Sequence, residues 1–251
     1  MTAPRPIALV TGAAKRVGAA IAHQLAASGC DVLITYNTSD DAAQKTVASL
    51  RKLGVAAGAI PLDITDEEDL LRTAKHLAKE LPRLDVLIHN ASRYEPSPLG
   101  TIDAARLVED YRVHAAGPLL LTQSLWPLLK RSVLEGGGSV VAMADMHVLG
   151  RPRKEFASYS MSKAALVEMV QTLARAMAPK VRVNAVAPGV VEWPTSGSEA
   201  SAKLRAAYLR RVPLGRAGTP QDAASAVAWL ALEAPYITGE ILRVDGGRWL
   251  A

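Results

Sequence analysis

Short apolar runs alternate along the chain with longer stretches in which apolar positions recur every three or four residues. Ile7–Val10, Asp31–Tyr36 and Ala57–Pro61 read as strands, as do residues 85–89, 139–143, 181–186 and 240–244. Residues 18–28, 41–53, 65–80, 104–126, 159–177 and 219–232 carry helical spacing. Gly29 and Gly54 close the first two helices as C-caps. Thr65-Asp-Glu-Glu68 opens the third like a capping box, and Thr219-Pro-Gln-Asp222 opens the last. Residues 200–211 form a further, basic helix. Strands apolar on both faces and separated by helices imply a parallel sheet covered on both sides. The handed crossover then gives an α/β fold: a doubly wound, Rossmann-type sheet in three α/β/α layers. No linker, composition shift or repeat divides the chain, so residues 1–251 are expected to form one domain.

Composition narrows the functional classes. Aromatics make up only 4% with a single Phe, so Ala, Val, Leu and Ile must build the core, and a Tyr or Trp near a site stands out. The net charge is +5, but the basic residues are dispersed and form no nucleic-acid tail. An anionic cofactor with an anionic or polar small-molecule substrate fits better. Cys30 stands alone, which excludes an intrachain disulfide and a Cys-based zinc site. His76 and His147 lack partners at metal-ligand spacing, so no metal is expected. Residues 1–6 hold no apolar signal core, and no run approaches the ~20 apolar residues of a membrane span. A cytoplasmic location, with no membrane partner, is the expectation.

Thr11-Gly-Ala-Ala-Lys-Arg-Val-Gly18 follows the first strand and opens the first helix. Small residues there let the backbone approach a pyrophosphate, and a helix N-terminus supplies N–H groups. Gly12, Lys15, Arg16, Val17 and Gly18 are therefore cofactor candidates, although the general fingerprint has Gly where this chain has Arg16. NAD-specific sheets end the second strand on an acid that binds the ribose 2′-hydroxyl. Here Tyr36 is followed by Asn37, Thr38 and Ser39, with no acid before Asp40. With Lys15 and Arg16 across the turn, the cofactor expected is NADP(H). The alternative is that both cations are solvated surface charges.

Tyr159 and Lys163 stand at i and i+4, on one helix face. An ammonium beside a phenol stabilises the phenolate and lowers its pKa, so the Tyr can exchange a proton near neutrality. With the phosphate turn upstream, this pair makes the chain resemble a short-chain dehydrogenase/reductase over nearly its whole length. The resemblance implies further cofactor residues: Asp63 and Ile64 at the adenine, Asn90, Ala91 and Ser92 beside the fourth strand, and Pro188, Gly189 and Val190 around the nicotinamide amide. It also implies that Lys163 binds the ribose hydroxyls and that the assembly is a homotetramer.

Two positions depart from the common pattern. Asp145 stands where the family has its catalytic Ser, and His114 where it has a helix Asn. A carboxylate repels a developing alkoxide but suits a substrate presenting N–H donors, such as an aminopyrimidine. The alternative is that Asp145 caps a loop. With Asp145, the Thr-Gly-Ala-Ala-Lys-Arg turn and His89-Asn-Ala-Ser92, the chain resembles the pteridine reductases and dihydromonapterin reductases. That resemblance implies catalysis by Asp145, Tyr159 and Lys163. It also implies a pterin-like substrate stacked on Tyr94 and touched by Arg16, Ser92, Asp145 and Tyr159. Trp193 either closes over this ligand or packs at an interface. Two other functions remain: a carbonyl reductase of the 3-oxoacyl thioester type, and a silent nucleotide sensor, against which the intact Tyr159–Lys163 pair argues.

Overall fold

The computed structural model describes residues 4–193 and 201–251. Seven parallel strands form one sheet in the order β3-β2-β1-β4-β5-β6-β7. They are β1 (Ile7–Val10), β2 (Asp31–Tyr36), β3 (Ala57–Pro61), β4 (Val86–His89), β5 (Gly138–Met143), β6 (Val181–Pro188) and β7 (Ile241–Val244). From β1 the chain runs outward to β2 and β3, then returns to place β4 on the other side of β1. The strand order therefore reverses between β1 and β4, where α/β sheets of this kind open a crevice at their carboxyl ends.

Both faces of the sheet are covered. Helices α1 (Arg16–Ala27), α2 (Asp40–Arg51) and α8 (Pro220–Leu232) bury Ile21, Leu25, Val47, Leu50 and Val227 on one face. Helices α3 (Glu67–Glu80), α5 (Gly117–Leu129) and α6 (Ala157–Met177) bury Leu70, Leu121, Leu125, Leu166 and Val170 on the other. Strand β1 shows why its sequence is apolar throughout: Ala8 and Val10 join the first cluster while Leu9 joins the second. The short helix α7 spans Ala202–Leu209; the expected start at Ala200 lies outside the described residues.

Two local expectations are corrected. The N-cap of α3 is Asp66, whose side chain accepts from the amides of Glu68 and Asp69, while Thr65 donates instead to Asp63. The capping box at Thr219 and Asp222 does form. The helix expected over residues 104–126 is interrupted. Helix α4 (Ala104–Tyr111) passes into α5 through a π-turn at Arg112–Ala116 centred on His114. The Gly117 amide bonds Arg112 O, five residues back. Pro118 has no N–H to offer the His114 carbonyl, which removes the ordinary four-residue bond there.

Buried charge ties the layers. Asp85, fully buried at the head of β4, accepts from the amides of Ile7 and Val133, from Ser132 Oγ and from Arg83 Nε, all at 2.8–3.0 Å. It joins β1 to the turn before β5. Arg182 in β6 donates to the carbonyls of Leu230 and Ala231 in the last turn of α8, and to that of Ala234 just beyond it. Removing the Asp85 carboxylate takes the ion-pair partner from Arg83 and the acceptor from two partly buried amides and from Ser132. Asp85→Ala is therefore expected to lower the unfolding free energy by about 3–5 kcal/mol, measured by urea denaturation.

Candidate active site

A cleft of about 740 Å³ lies at the carboxyl ends of the strands, over the reversal between β1 and β4. The floor is a knot of hydrogen bonds between the first and fourth strand ends. The Thr11 amide bonds Ile88 O at 2.9 Å. Thr11 Oγ1 accepts from the amides of Asn90 and Ala91, and Asn90 Nδ2 donates to Thr11 O and Gly12 O, at 3.0–3.1 Å. Little room is left: a Cβ on Gly18 would lie 2.5 Å from Asn90 Nδ2. Gly12 has φ +63°, and a Cβ there would lie 2.8 Å from Ala91 Cα.

Every cofactor and substrate candidate named from the sequence lines this one cleft. Gly12, Lys15, Arg16, Val17 and Gly18 border it at the start of α1; Asn37, Thr38 and Ser39 follow β2; Asp63 and Ile64 follow β3. Asn90, Ala91, Ser92 and Tyr94 follow β4; Asp145 follows β5; Tyr159 and Lys163 project from α6; Pro188, Gly189 and Val190 end β6.

The residues present fit an NADP(H) phosphate group. Helix α1 begins at Lys15 with no side-chain cap and no acid in its first turn, so its leading N–H groups are open to an anion. Asp40 lies outside the cleft lining, bonded to Tyr36 and Gln44. Arg16 holds φ +58° where the general fingerprint has Gly, a conformation that costs about 1–2 kcal/mol for a side chain with a Cβ. Its guanidinium reaches Glu192 at 2.9 Å across the cleft mouth. Both partners are substantially exposed, so this pair holds the mouth only weakly and a phosphate can displace the carboxylate at small cost.

The two proposals for Asp145 prove compatible. One carboxylate oxygen caps the short 3-10 turn Met146–Leu149 by accepting the His147 amide at 2.8 Å. The other accepts the Tyr159 phenol at 3.1 Å. Lys163, buried on the same helix face, donates to Met143 O at 2.6 Å, and its Nζ lies 5.9 Å from the Tyr159 ring centre. The expected lowering of the phenol pKa by Lys163 is not found. Burial first, then the Asp145 charge, holds Tyr159 well above its ordinary 10. Burial brings Lys163 down to about 8, opposed by Asp145. The pair is thus a phenol held in its protonated form beside a carboxylate.

His114 stands behind this group. The Arg93 amide donates to its Nε2 at 3.2 Å, so Nε2 carries no proton and Nδ1–H donates to Ser162 Oγ at 2.8 Å. That assignment follows from the bonding pattern. Ser162 in turn donates to Tyr159 O, and Ser92 Oγ lies 2.9 Å from Nε2. Burial keeps His114 neutral, with a pKa down at about 2.

Tyr94 is placed differently from a freely presented stacking platform. One face of its ring stacks on Phe156, with centroids 4.6 Å apart and planes at 15°. Its edge meets Tyr159 at 4.9 Å, and Arg153 donates to its hydroxyl. Sequence reasoning missed Arg153, His147 and Glu192, all in the cleft lining, and Phe156 behind Tyr94. Phe156 had a signal, being the single Phe of the chain and three residues before Tyr159.

Two outcomes follow. His89 is likewise neutral, pushed by burial down to about 3 from 6.5. The unfolded chain protonates both histidines below pH 6.5 and the fold does not, so stability falls as pH drops from 6.5 toward 3. The slope is about 1.4 kcal/mol per pH unit for each histidine. Urea midpoints across that window measure it, and His114→Asn should halve the slope from this pair. Separately, Asp145→Ala should shift the ionisation of Tyr159 to lower pH. Phenolate difference absorbance, referenced to the Asp145→Ala/Tyr159→Phe protein, measures the shift.

Comparison with known proteins agrees with this geometry. The family model described as enoyl-(acyl carrier protein) reductase matches residues 12–248. The 3-oxoacyl-[acyl-carrier-protein] reductase of Aquifex aeolicus is 31% identical over 244 residues, 96% of each chain. The 3beta-hydroxysteroid dehydrogenase 1 of Eggerthella lenta is 32% identical over 96% of this chain and 93% of its own. A blue fluorescent protein from a metagenomic library, solved in complex with NADPH, superposes with a TM-score of 0.86 at 30% identity over 97% of each chain. On sequence and fold together, the chain belongs to the short-chain dehydrogenase/reductase family, and it is an NAD(P)-dependent oxidoreductase.

Proposed function

We propose that the protein is an NADPH-dependent reductase of a pterin, taking a dihydropterin to its tetrahydro form. The observation that carries this reading is the Asp145–Tyr159 hydrogen bond at the position where a carbonyl reductase of the family has Ser. When bound, NADPH supplies the hydride. The chain's own residues handle the proton and the ring. Tyr159 keeps its phenol protonated and can release that proton to a ring nitrogen when an oxidised pterin is reduced; for a dihydropterin the proton can come from solvent. Asp145 accepts the N–H groups of an aminopyrimidine edge, which a Ser hydroxyl serves less well. Lys163 and the open N-terminus of α1 hold the cofactor's ribose and phosphates. Tyr94, stacked on Phe156, is the ring that would border the substrate plane.

A second reading has a specific observation behind it. The relatives named above act, by their names, on 3-oxoacyl and hydroxysteroid substrates, and none is named for a pterin. These comparisons favour a 3-oxoacyl thioester reductase over a pterin reductase, whereas Asp145 favours the heterocycle. In both readings the cofactor is NADP(H) and the assembly is the tetramer that the family resemblance implies.

NADPH oxidation against dihydrobiopterin, dihydromonapterin, dihydrofolate and a 3-oxoacyl thioester separates them. The pterin reading expects a dihydropterin to have the highest kcat/KM. A thioester turned over fastest, with the pterins inert, would replace it with the second reading. NADH in place of NADPH should give a much higher KM.

A further inference from the structure

A second cleft, of about 590 Å³, opens beside the first. Its lining is His147, Gly150, Arg151, Pro152, Arg211, Arg248 and Trp249. His147 belongs to both clefts, and its amide is the group that holds Asp145. Three arginines and a histidine line this space, and among the described residues no Asp or Glu does.

The cleft is constructed rather than a chance meeting of surface arginines. Arg248 is 7% exposed, and its buried Nε has no hydrogen-bond partner. Its Nη1 donates to the backbone oxygen of Ala251, and its guanidinium lies 5.5 Å from the Tyr208 ring centre. A buried guanidinium with an unused donor is costly unless something accepts from it. Burial, together with Arg151 and Arg211, pushes its pKa down, while Tyr208 and Asp245 oppose this. Asp245 is committed elsewhere: it accepts from the amides of Gly247 and Trp249 at 2.9 Å. The Trp249 indole forms one wall. It fits because Gly150 (φ +115°) has no Cβ, which would lie 2.9 Å from the indole edge. Arg151 lies over the same indole at 5.8 Å.

We propose that this cleft is an anion subsite that receives a carboxylate or phosphate borne on the far end of the substrate whose reacting end lies at Asp145 and Tyr159. This rests on the reading that the neighbouring cleft is the reductase site. The carboxylate would come from a glutamyl tail on a pterin ring. The phosphate would come from the pantetheine arm of a thioester. Either is an oxyanion that a forked guanidinium binds through paired hydrogen bonds. An oxyanion there would supply a counter-charge for Arg151 and Arg211, for which no ion pair is found among the described residues.

The test has a binding arm and a kinetic arm. With NADP+ saturating, inorganic pyrophosphate is titrated while Trp249 fluorescence is followed, using Trp249→Phe as the blank. The expected result is saturable binding, weakened about tenfold or more in Arg151→Ala/Arg211→Ala, as loss of a charge-assisted contact implies. In the kinetic arm, dihydrofolate is compared with dihydrobiopterin, and a 3-oxoacyl-coenzyme A with the same acyl group on N-acetylcysteamine. The double variant should raise KM about tenfold for the anionic member of the pair that is turned over, leave kcat unchanged and spare the neutral member. Arg211→Lys should restore part of the loss. Which pair responds tells carboxylate from phosphate. Absence of pyrophosphate binding to the wild type, or equal KM changes for charged and neutral members, would overturn the subsite. If no panel member is reduced, the reductase reading fails, while the pyrophosphate arm still judges the subsite.

Discussion

Thr11 and Asn90 hold the molecule's working geometry together. Their side chains tie the end of β1 to the end of β4, the point where the strand order reverses. The connections that leave the adjacent strands β1 and β4 run to opposite faces of the sheet there, and the gap between them becomes the crevice. The knot fixes the strand ends that floor it. It brings the Gly12–Gly18 turn against Asn90 so closely that neither glycine could carry a Cβ. It also orients Ser92, and through Ser92 the His114–Ser162 chain that reaches the backbone of Tyr159. Cofactor cradle and proton donor are thereby referred to one fixed point.

On that frame, a single substitution of residue type changes the chemistry. With a hydroxyl at position 145, the phenol of Tyr159 would meet a second neutral donor. The carboxylate of Asp145 instead accepts from the phenol and opposes its ionisation. Lys163 does not loosen the phenolic proton: it donates to Met143 O and is itself shifted toward neutrality. A carboxylate 3.1 Å from the phenol oxygen outweighs an ammonium 5.9 Å from the ring centre. Tyr159 therefore starts with its proton in place, the protonation state that the reducing direction needs.

The fold was legible in the chain because a parallel sheet buried on both sides demands near-continuous apolar strands, and β1 is apolar at all four positions and β4 at the first three. The phosphate turn and the Tyr159–Lys163 spacing were legible for the same kind of reason: each is local in sequence. The π-turn was not, because helical periodicity over residues 104–126 continues through it, and only the missing N–H of Pro118 marks it. The bracing of Tyr94 by Phe156 and Arg153, and the pairing of Arg16 with Glu192, join segments far apart in the chain. Charge signs alone could not match those partners. The sense of the Tyr159 shift was misjudged because the carboxylate at 145 was read only as a partner for substrate.

The most direct measurement compares wild type with Asp145→Ser for the ratio of kcat/KM on dihydrobiopterin to that on a 3-oxoacyl thioester, NADPH being saturating. If the carboxylate selects a nitrogen heterocycle, the ratio falls by about a hundredfold or more, corresponding to roughly 2.7 kcal/mol of differential transition-state binding. An unchanged ratio would mean that Asp145 only caps its turn, and that the substrate is chosen elsewhere in the cleft.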